Sequence, residues 1–229
     1  LRWKVLASFP RRNYSQTVST NLKKKIFIIS IFSLTFLACS NQKIDGTWVL
    51  SYTDSESSFP IFSEIITFDN GFYESDNFSF GPLHYEKSNG TYKLENQKLI
   101  FNDTTKLSVL AITNDSLITR HENISYILKK LNDTLKNKEP NKIKLEGLTF
   151  DADYGGPQIS TITFQSGRVL FDSQLVMGSS NKFMRTNHNG FDILFQEFAL
   201  PRIIKGIDRD TIMLYAFHKK VIKIKMWKK

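Results

Sequence analysis

Cysteine is almost missing: Cys39 is the only one in 229 residues. That excludes a disulfide within the chain and any metal site built on two or more thiolates. Histidine is scarce too. His84, His121, His188 and His218 are the full set, and no two stand at a close metal-ligand spacing. The pair His121-Glu122 reads as a surface pair in a turn. No glycine-rich phosphate loop is present, and Ser57, Ser58, Ser160 and Ser166 lie in no nucleophile-elbow context. Asp151 and Asp153 form an Asp-x-Asp fragment near Gly155-Gly156 and Asp172, without the rest of a calcium loop. Carboxylates are plentiful, yet nothing in their spacing selects two for glycosidic chemistry. The reading is therefore of no catalytic residue, no cofactor, no metal, and no enzyme.

Acidic residues are absent from positions 1–38, where Arg2, Lys4, Arg11, Arg12 and Lys23 to Lys25 stand. The whole chain has 31 basic and 22 acidic residues, a net charge of +9. Setting those seven aside leaves 24 basic against 22 acidic, or +2. The basic character thus belongs mostly to the first segment and gives no ground for nucleic-acid binding. The rest is uneven. Residues 39–140 carry 10 basic and 14 acidic side chains, and residues 141–229 carry 14 and 8. The surplus gathers at Lys219, Lys220, Lys223, Lys225, Lys228 and Lys229. It reads as a solvated strand edge and chain end, with a membrane-surface contact as the alternative.

Long apolar runs are also lacking. The longest, Ile26 to Ala38, has thirteen residues and is apolar except for Ser30, Ser33 and Thr35. As a helix it would rise about 20 Å, short of a hydrocarbon core of about 30 Å. No polar face repeats through it, which argues against a core helix. Behind a triple lysine it fits an export signal. Its end, Phe36-Leu37-Ala38-Cys39-Ser40, resembles the bacterial lipobox. The resemblance implies that Cys39 receives a diacylglyceryl group and becomes the first residue after cleavage. Phe36 departs from the usual Leu, Val or Ile, as in Bacteroidetes-like lipoproteins, which the Phe- and Asn-rich composition also resembles. Residues 1–21 precede the basic cluster, and a translation start near Leu22 would give an ordinary signal of seventeen residues. The alternative is a long basic extension. The expected order is a removed leader over 1–38 and a lipidated tether over 39–43. Ser40 lacks the Asp of inner-membrane retention, and Ser40 to Lys43 lack an acidic pair for surface export. The expected place is the outer membrane, facing the periplasm, with the bilayer as partner through the Cys39 acyl anchor.

Beyond the tether the pattern is all-β. Short apolar runs with period-two alternation predict strands at Gly46–Tyr52, Ser63–Phe68, Gly71–Glu74, Tyr85–Leu94, Lys98–Asn102, Lys106–Thr113, Ser116–Arg120 and Ser125–Leu131. Turn signals join them at Asp69-Asn70-Gly71, Ser88-Asn89-Gly90, Glu95-Asn96-Gln97 and Asn114-Asp115. Eight short strands suit an antiparallel up-and-down barrel over 44–131, whose closure removes exposed edges. Asn132 to Asn141 is polar and reads as a linker. Residues 142–229 repeat the grammar. Lys144-Leu145-Glu146-Gly147 echoes Lys43-Ile44-Asp45-Gly46, and Ile162-Thr163-Phe164 echoes Ile66-Thr67-Phe68. Ile207 to Ile212 echoes Ile112 to Leu117, while no tryptophan matches Trp48. Two tandem barrels, the second diverged, are expected; the alternative is one irregular domain whose sheet crosses 132–141.

Ile44-Asp45-Gly46-Thr47-Trp48-Val49-Leu50 resembles the opening Gly-x-Trp strand of lipocalin-like domains in small bacterial lipoproteins. Leu110 to Leu117 and Tyr126 to Leu131 resemble that family's late hairpin and closing strand. The match covers 44–131 well and 144–229 poorly. It implies a calyx barrel with Gly46 and Trp48 as its signature and Trp48 at the closed end. A late-strand basic residue would pack on Trp48, with Arg120 the nearest match. The aromatic stretch Phe72 to Pro82 is expected to form a mouth loop. Its Phe72, Tyr73, Phe78 and Phe80 would then rim the opening for a small apolar or carbohydrate ligand. A filled barrel docking an envelope protein is the alternative.

Overall fold

Strands dominate wherever the computed structural model describes the chain, at residues 43–54, 62–79, 84–140, 144–171, 181–197, 199–208 and 210–229. Cys39, the leader and Phe80 lie outside the described residues. The first eight strands are β1 (Gly46–Asp54), β2 (Phe62–Asp69), β3 (Phe72–Ser79), β4 (His84–Glu95), β5 (Lys98–Phe101), β6 (Thr105–Ile112), β7 (Ser116–His121) and β8 (Ile124–Lys130). Each pairs antiparallel with the next, and β8 returns to β1, which closes a barrel. The second eight are β9 (Thr149–Asp153), β10 (Ile159–Gln165), β11 (Arg168–Phe171), β12 (Asn181–His188), β13 (Phe191–Gln196), β14 (Arg202–Asp208), β15 (Thr211–Phe217) and β16 (Val221–Lys228). They close in the same way, through β16 and β9. The chain therefore holds two closed eight-stranded up-and-down barrels in tandem, and no strand pairing joins them among the described residues.

Turn chemistry explains the hairpins. Asn70 and Gly71 both have positive φ, 46° and 87°, and Ser166 and Gly167 repeat this at 52° and 70°. Two such residues in succession match the right-handed twist of the flanking strands. Two sequence expectations fail here. Phe72 to Ser79 is strand β3, not a loop. Its polar stretch Glu74 to Asn77 hides the period, because each face meets polar groups. Ser88-Asn89-Gly90 is the middle of β4, not a turn. A Cβ on Gly90 would stand 2.0 Å from Asn102 Oδ1, which accepts from Thr91 N at 2.9 Å. Glycine leaves room for that crossing side chain.

The two barrels repeat each other in register. Thr47 pairs with Thr67 and Thr149 with Thr163, and each pair joins its hydroxyls, at 2.8 and 3.0 Å. Leu131 N donates to Thr47 O, and Lys229 N to Thr149 O. Lys130 N donates to Asp115 O, and Lys228 N to Asp210 O. Trp48 lies opposite Lys130, as Phe150 lies opposite Lys228. Phe150 thus holds the place for which the sequence offered no tryptophan.

Alternation sorts the side chains. Trp48, Ile66 and Phe68 point into the first barrel, and Phe150, Ile162 and Phe164 into the second. The opposite faces make a third apolar layer between the barrels. Val49, Ile65 and Phe78 meet Phe191, Ile193 and Phe195 there. Phe78 and Phe195 stack with centroids 5.8 Å apart. Polar contacts frame the layer. Ser51 Oγ donates to His218 O and Ser63 Oγ to Ala199 O, at 2.8 and 2.7 Å. His188, fully buried, sits with Nδ1 3.2 Å from Asp76 Oδ2 and Nε2 2.9 Å from Thr67 Oγ1. The connecting segment after β8 is fastened rather than free. It forms a 3-10 turn at Asp133–Leu135, and Asn137 Nδ2 donates to Asp192 Oδ2 at 2.9 Å. Arg185 Nη2 donates to Pro140 O at 2.7 Å.

Candidate functional site

The first barrel is hollow. A cavity of about 330 Å³ opens inside it. Its lower wall is apolar, from Ile66, Phe68, Leu99, Phe101, Leu117 and Leu128. The end beyond carries Glu64, Ser75, Asn77, Thr119, Tyr126 and His121. Strand pairing sets these groups in place. Glu64 faces Asn77 across the β2–β3 pair, and Thr119 faces Tyr126 across the β7–β8 pair.

Glu64 is partly buried, and the surface it keeps borders the cavity. Burial pushes its carboxyl above the ordinary 4.5, and a hydrogen bond from Ser75 Oγ at 2.9 Å partly opposes that rise. Burial also raises the Tyr126 phenol, helped by the negative charges of Glu64 and Glu122. Asn77 Oδ1 and Thr119 Oγ1 are buried without a hydrogen-bond partner. Thr119 is 1% exposed. Unpaired buried polar atoms are costly, on the order of 1–3 kcal/mol each. A barrel built only for stability would fill this end with apolar side chains.

The second barrel does so at three of these positions. In the shared register Thr119 and Tyr126 correspond to Leu214 and Ile224, which pair with each other as the first two do. Glu64 corresponds to Ser160, and Ser75 to Phe171. Leu214 and Ile224 lie in a packed interior with Phe164, Leu194 and Met226. The same architecture thus exists with and without the polar end.

Glu64 should register in stability. Below the ordinary glutamate range the carboxyl is protonated in both folded and unfolded chains. As pH rises past 4.5 the unfolded chain ionises first, so the folded state loses stability until its own, raised value is passed. Glu64→Gln is expected to raise the thermal midpoint at pH 7.5 by about 2–4 °C, with the gain vanishing near pH 4. Scanning calorimetry at the two pH values checks this, and an equal gain at both would contradict it.

The aromatics expected at a rim separate. Tyr73 borders the cavity and meets Phe101 edge-on at 4.9 Å. Phe72 stands on the outer face, 65% exposed, beside a surface groove with Glu74 and Asn189. Phe78 is buried between the barrels, and Phe80 lies outside the described residues. Trp48 is buried at the end where the chain enters, and its Nε1 donates to Ile44 O at 2.7 Å. The cation over its ring is Lys130, 5.4 Å from the centroid, not Arg120, whose Nε reaches Ser125 Oγ near the other end. Gly46, at φ 122°, admits that lysine, because a Cβ there would stand 2.5 Å from Lys130 Cε. Sequence reasoning missed Lys130, Glu64 and Thr119. Counting strand positions back from Trp48 would have found the lysine, which pairs directly with it.

No helix among the described residues is long and apolar enough to cross a membrane. Among them no three His, Cys, Asp or Glu side chains gather as a metal set. No protein-family model matches the chain, and no curated protein matches it. Among solved structures, the DNA polymerase III beta chain of Streptococcus pneumoniae TIGR4 aligns with 82% of this chain and 57% of that one. The identity is 10% and the TM-score 0.17, and a likeness of that degree carries no argument.

Proposed function

We propose that the chain is a lipocalin-like binding module, lipid-anchored through Cys39 at the outer membrane and facing the periplasm. Its site is the interior of the first barrel, and its ligand is a small, mostly apolar molecule with one polar end. The observation that carries this is the polar end of the cavity, where Glu64 stands beside the unpaired Asn77 Oδ1 and Thr119 Oγ1, and where the second barrel puts Phe171, Leu214 and Ile224 in place of Ser75, Thr119 and Tyr126. The volume of about 330 Å³ is at the small end of the range for ligand sites, about 300–1,000 Å³. A short aromatic or aliphatic body fits it better than an oligosaccharide. The anchoring rests on the sequence around Cys39, and the outer membrane on Ser40 to Lys43. The second barrel serves as a packed support. The reading of a filled barrel with a purely structural role fits that half and not the first.

The test converts the first barrel to the chemistry of the second. Thr119→Leu with Tyr126→Ile reproduces a pair already accommodated in the same register by Leu214 and Ile224. The double variant is expected to fold and to lose at least about tenfold in affinity for any small molecule that stabilises the wild type in a thermal-shift screen. Unchanged affinity in a folded variant would place binding elsewhere.

A further inference from the structure

We infer, on the reading that the first barrel takes a small ligand, that this ligand carries a protonated amine at its polar end and that Glu64 is its counter-ion. Among the described residues, the lining holds one carboxylate and neither lysine nor arginine. A carboxylate or phosphate head would enter with no basic partner there except His121, which is exposed. Several of the groups present can accept. Glu64 brings two carboxyl oxygens, and Ser75 spends its proton on one of them. Asn77 Oδ1 and Thr119 Oγ1 have no partner. An ammonium group offers three donors and no acceptor, which matches the carboxylate, the amide oxygen and the hydroxyl oxygen together. A hydroxyl offers one donor and leaves the rest unmet. Tyr126, which lines the same end, adds an aromatic ring, and such rings attract cations. Burial holds the Glu64 carboxyl toward its neutral form, and a cation beside it would restore the charge. When Glu64 is neutral beforehand, its proton leaves to solvent as the ammonium binds, and the ligand keeps its own three protons.

Three isosteric probes separate the readings: 2-phenylethylamine, 2-phenylethanol and phenylacetate, titrated calorimetrically into the full chain at pH 7.5. The amine is expected to bind about tenfold or more tighter than the alcohol, with no detectable heat for phenylacetate. Glu64→Gln keeps the shape and removes the charge. It is expected to erase the preference for the amine over the alcohol, whatever the affinity for the alcohol itself. Alcohol or phenylacetate binding the wild type as tightly as the amine would overturn the amine assignment and leave the binding cavity standing. No binding by any of the three, together with no thermal stabilisation, would overturn both. An amine preference that persists in a folded Glu64→Gln protein would overturn the role of Glu64.

Discussion

Trp48→Ala should cost about 3–5 kcal/mol, the general scale for deleting a buried tryptophan. The ring is 1% exposed and sits among Ile66, Phe68 and Leu117. Truncation opens a void that the closed sheet cannot collapse to fill. It also strips Ile44 O of its donor and Lys130 of its aromatic support. Trp48→Phe keeps a ring and loses only the N–H, so it should cost less, with the stranded Ile44 carbonyl contributing about 1–3 kcal/mol. Phe150 already fills the matching place in the second barrel, so the fold tolerates a phenylalanine there. Denaturant titration read by circular dichroism checks both. A loss under about 1 kcal/mol for the alanine variant would mean that the closed end does not depend on Trp48.

Phe195→Ala should be similarly damaging, by about 3–5 kcal/mol, and should change the form of the transition. Phe195 has no exposed surface, yet it points out of its own barrel. It packs in the layer between the barrels, where Phe78 of the first barrel stacks on it. The apolar layer between the barrels makes them unfold together. Wild type is expected to show one transition, and the alanine variant two, or one broadened with a reduced denaturant slope. A sharp single transition with an unchanged midpoint would show that the barrels do not rely on each other.

The legibility of this molecule follows the faces of its strands. Where one face met core and the other water, alternation was plain, as in Leu107 and Val109 on β6, but the expected continuation to Ala111 fails, because a bulge after Val109 turns Ala111 away and brings Ile112 inward. Where both faces were buried it vanished. Every residue of β13 is buried, because Leu194 serves its own barrel while Ile193 and Phe195 serve the neighbour. A continuous apolar run gives no period from which to read an interface. Polar residues misled in the same way. Glu74 to Asn77 looked like loop because Asp76 turns out to meet His188, while Ser75 and Asn77 turn in to the cavity. The duplication was visible in short echoes, but its register was not, because Leu148 adds a residue between Gly147 and Thr149. The candidate site was the least legible part. Glu64 lies far in the chain from the Thr119–Tyr126 pair of the β7–β8 hairpin, and the two come together only when β8 closes on β1.

The most direct measurement is a methyl-resolved NMR titration of the full chain with 2-phenylethanol, an uncharged probe that does not depend on the amine assignment. The expected result is saturable shifts at Leu99, Leu117 and Leu128 in the first barrel, with Leu194 and Leu214 in the second unmoved. Shifts confined to the second barrel or to the outer surface near Phe72, or no saturable shift at all, would contradict a ligand site inside the first barrel.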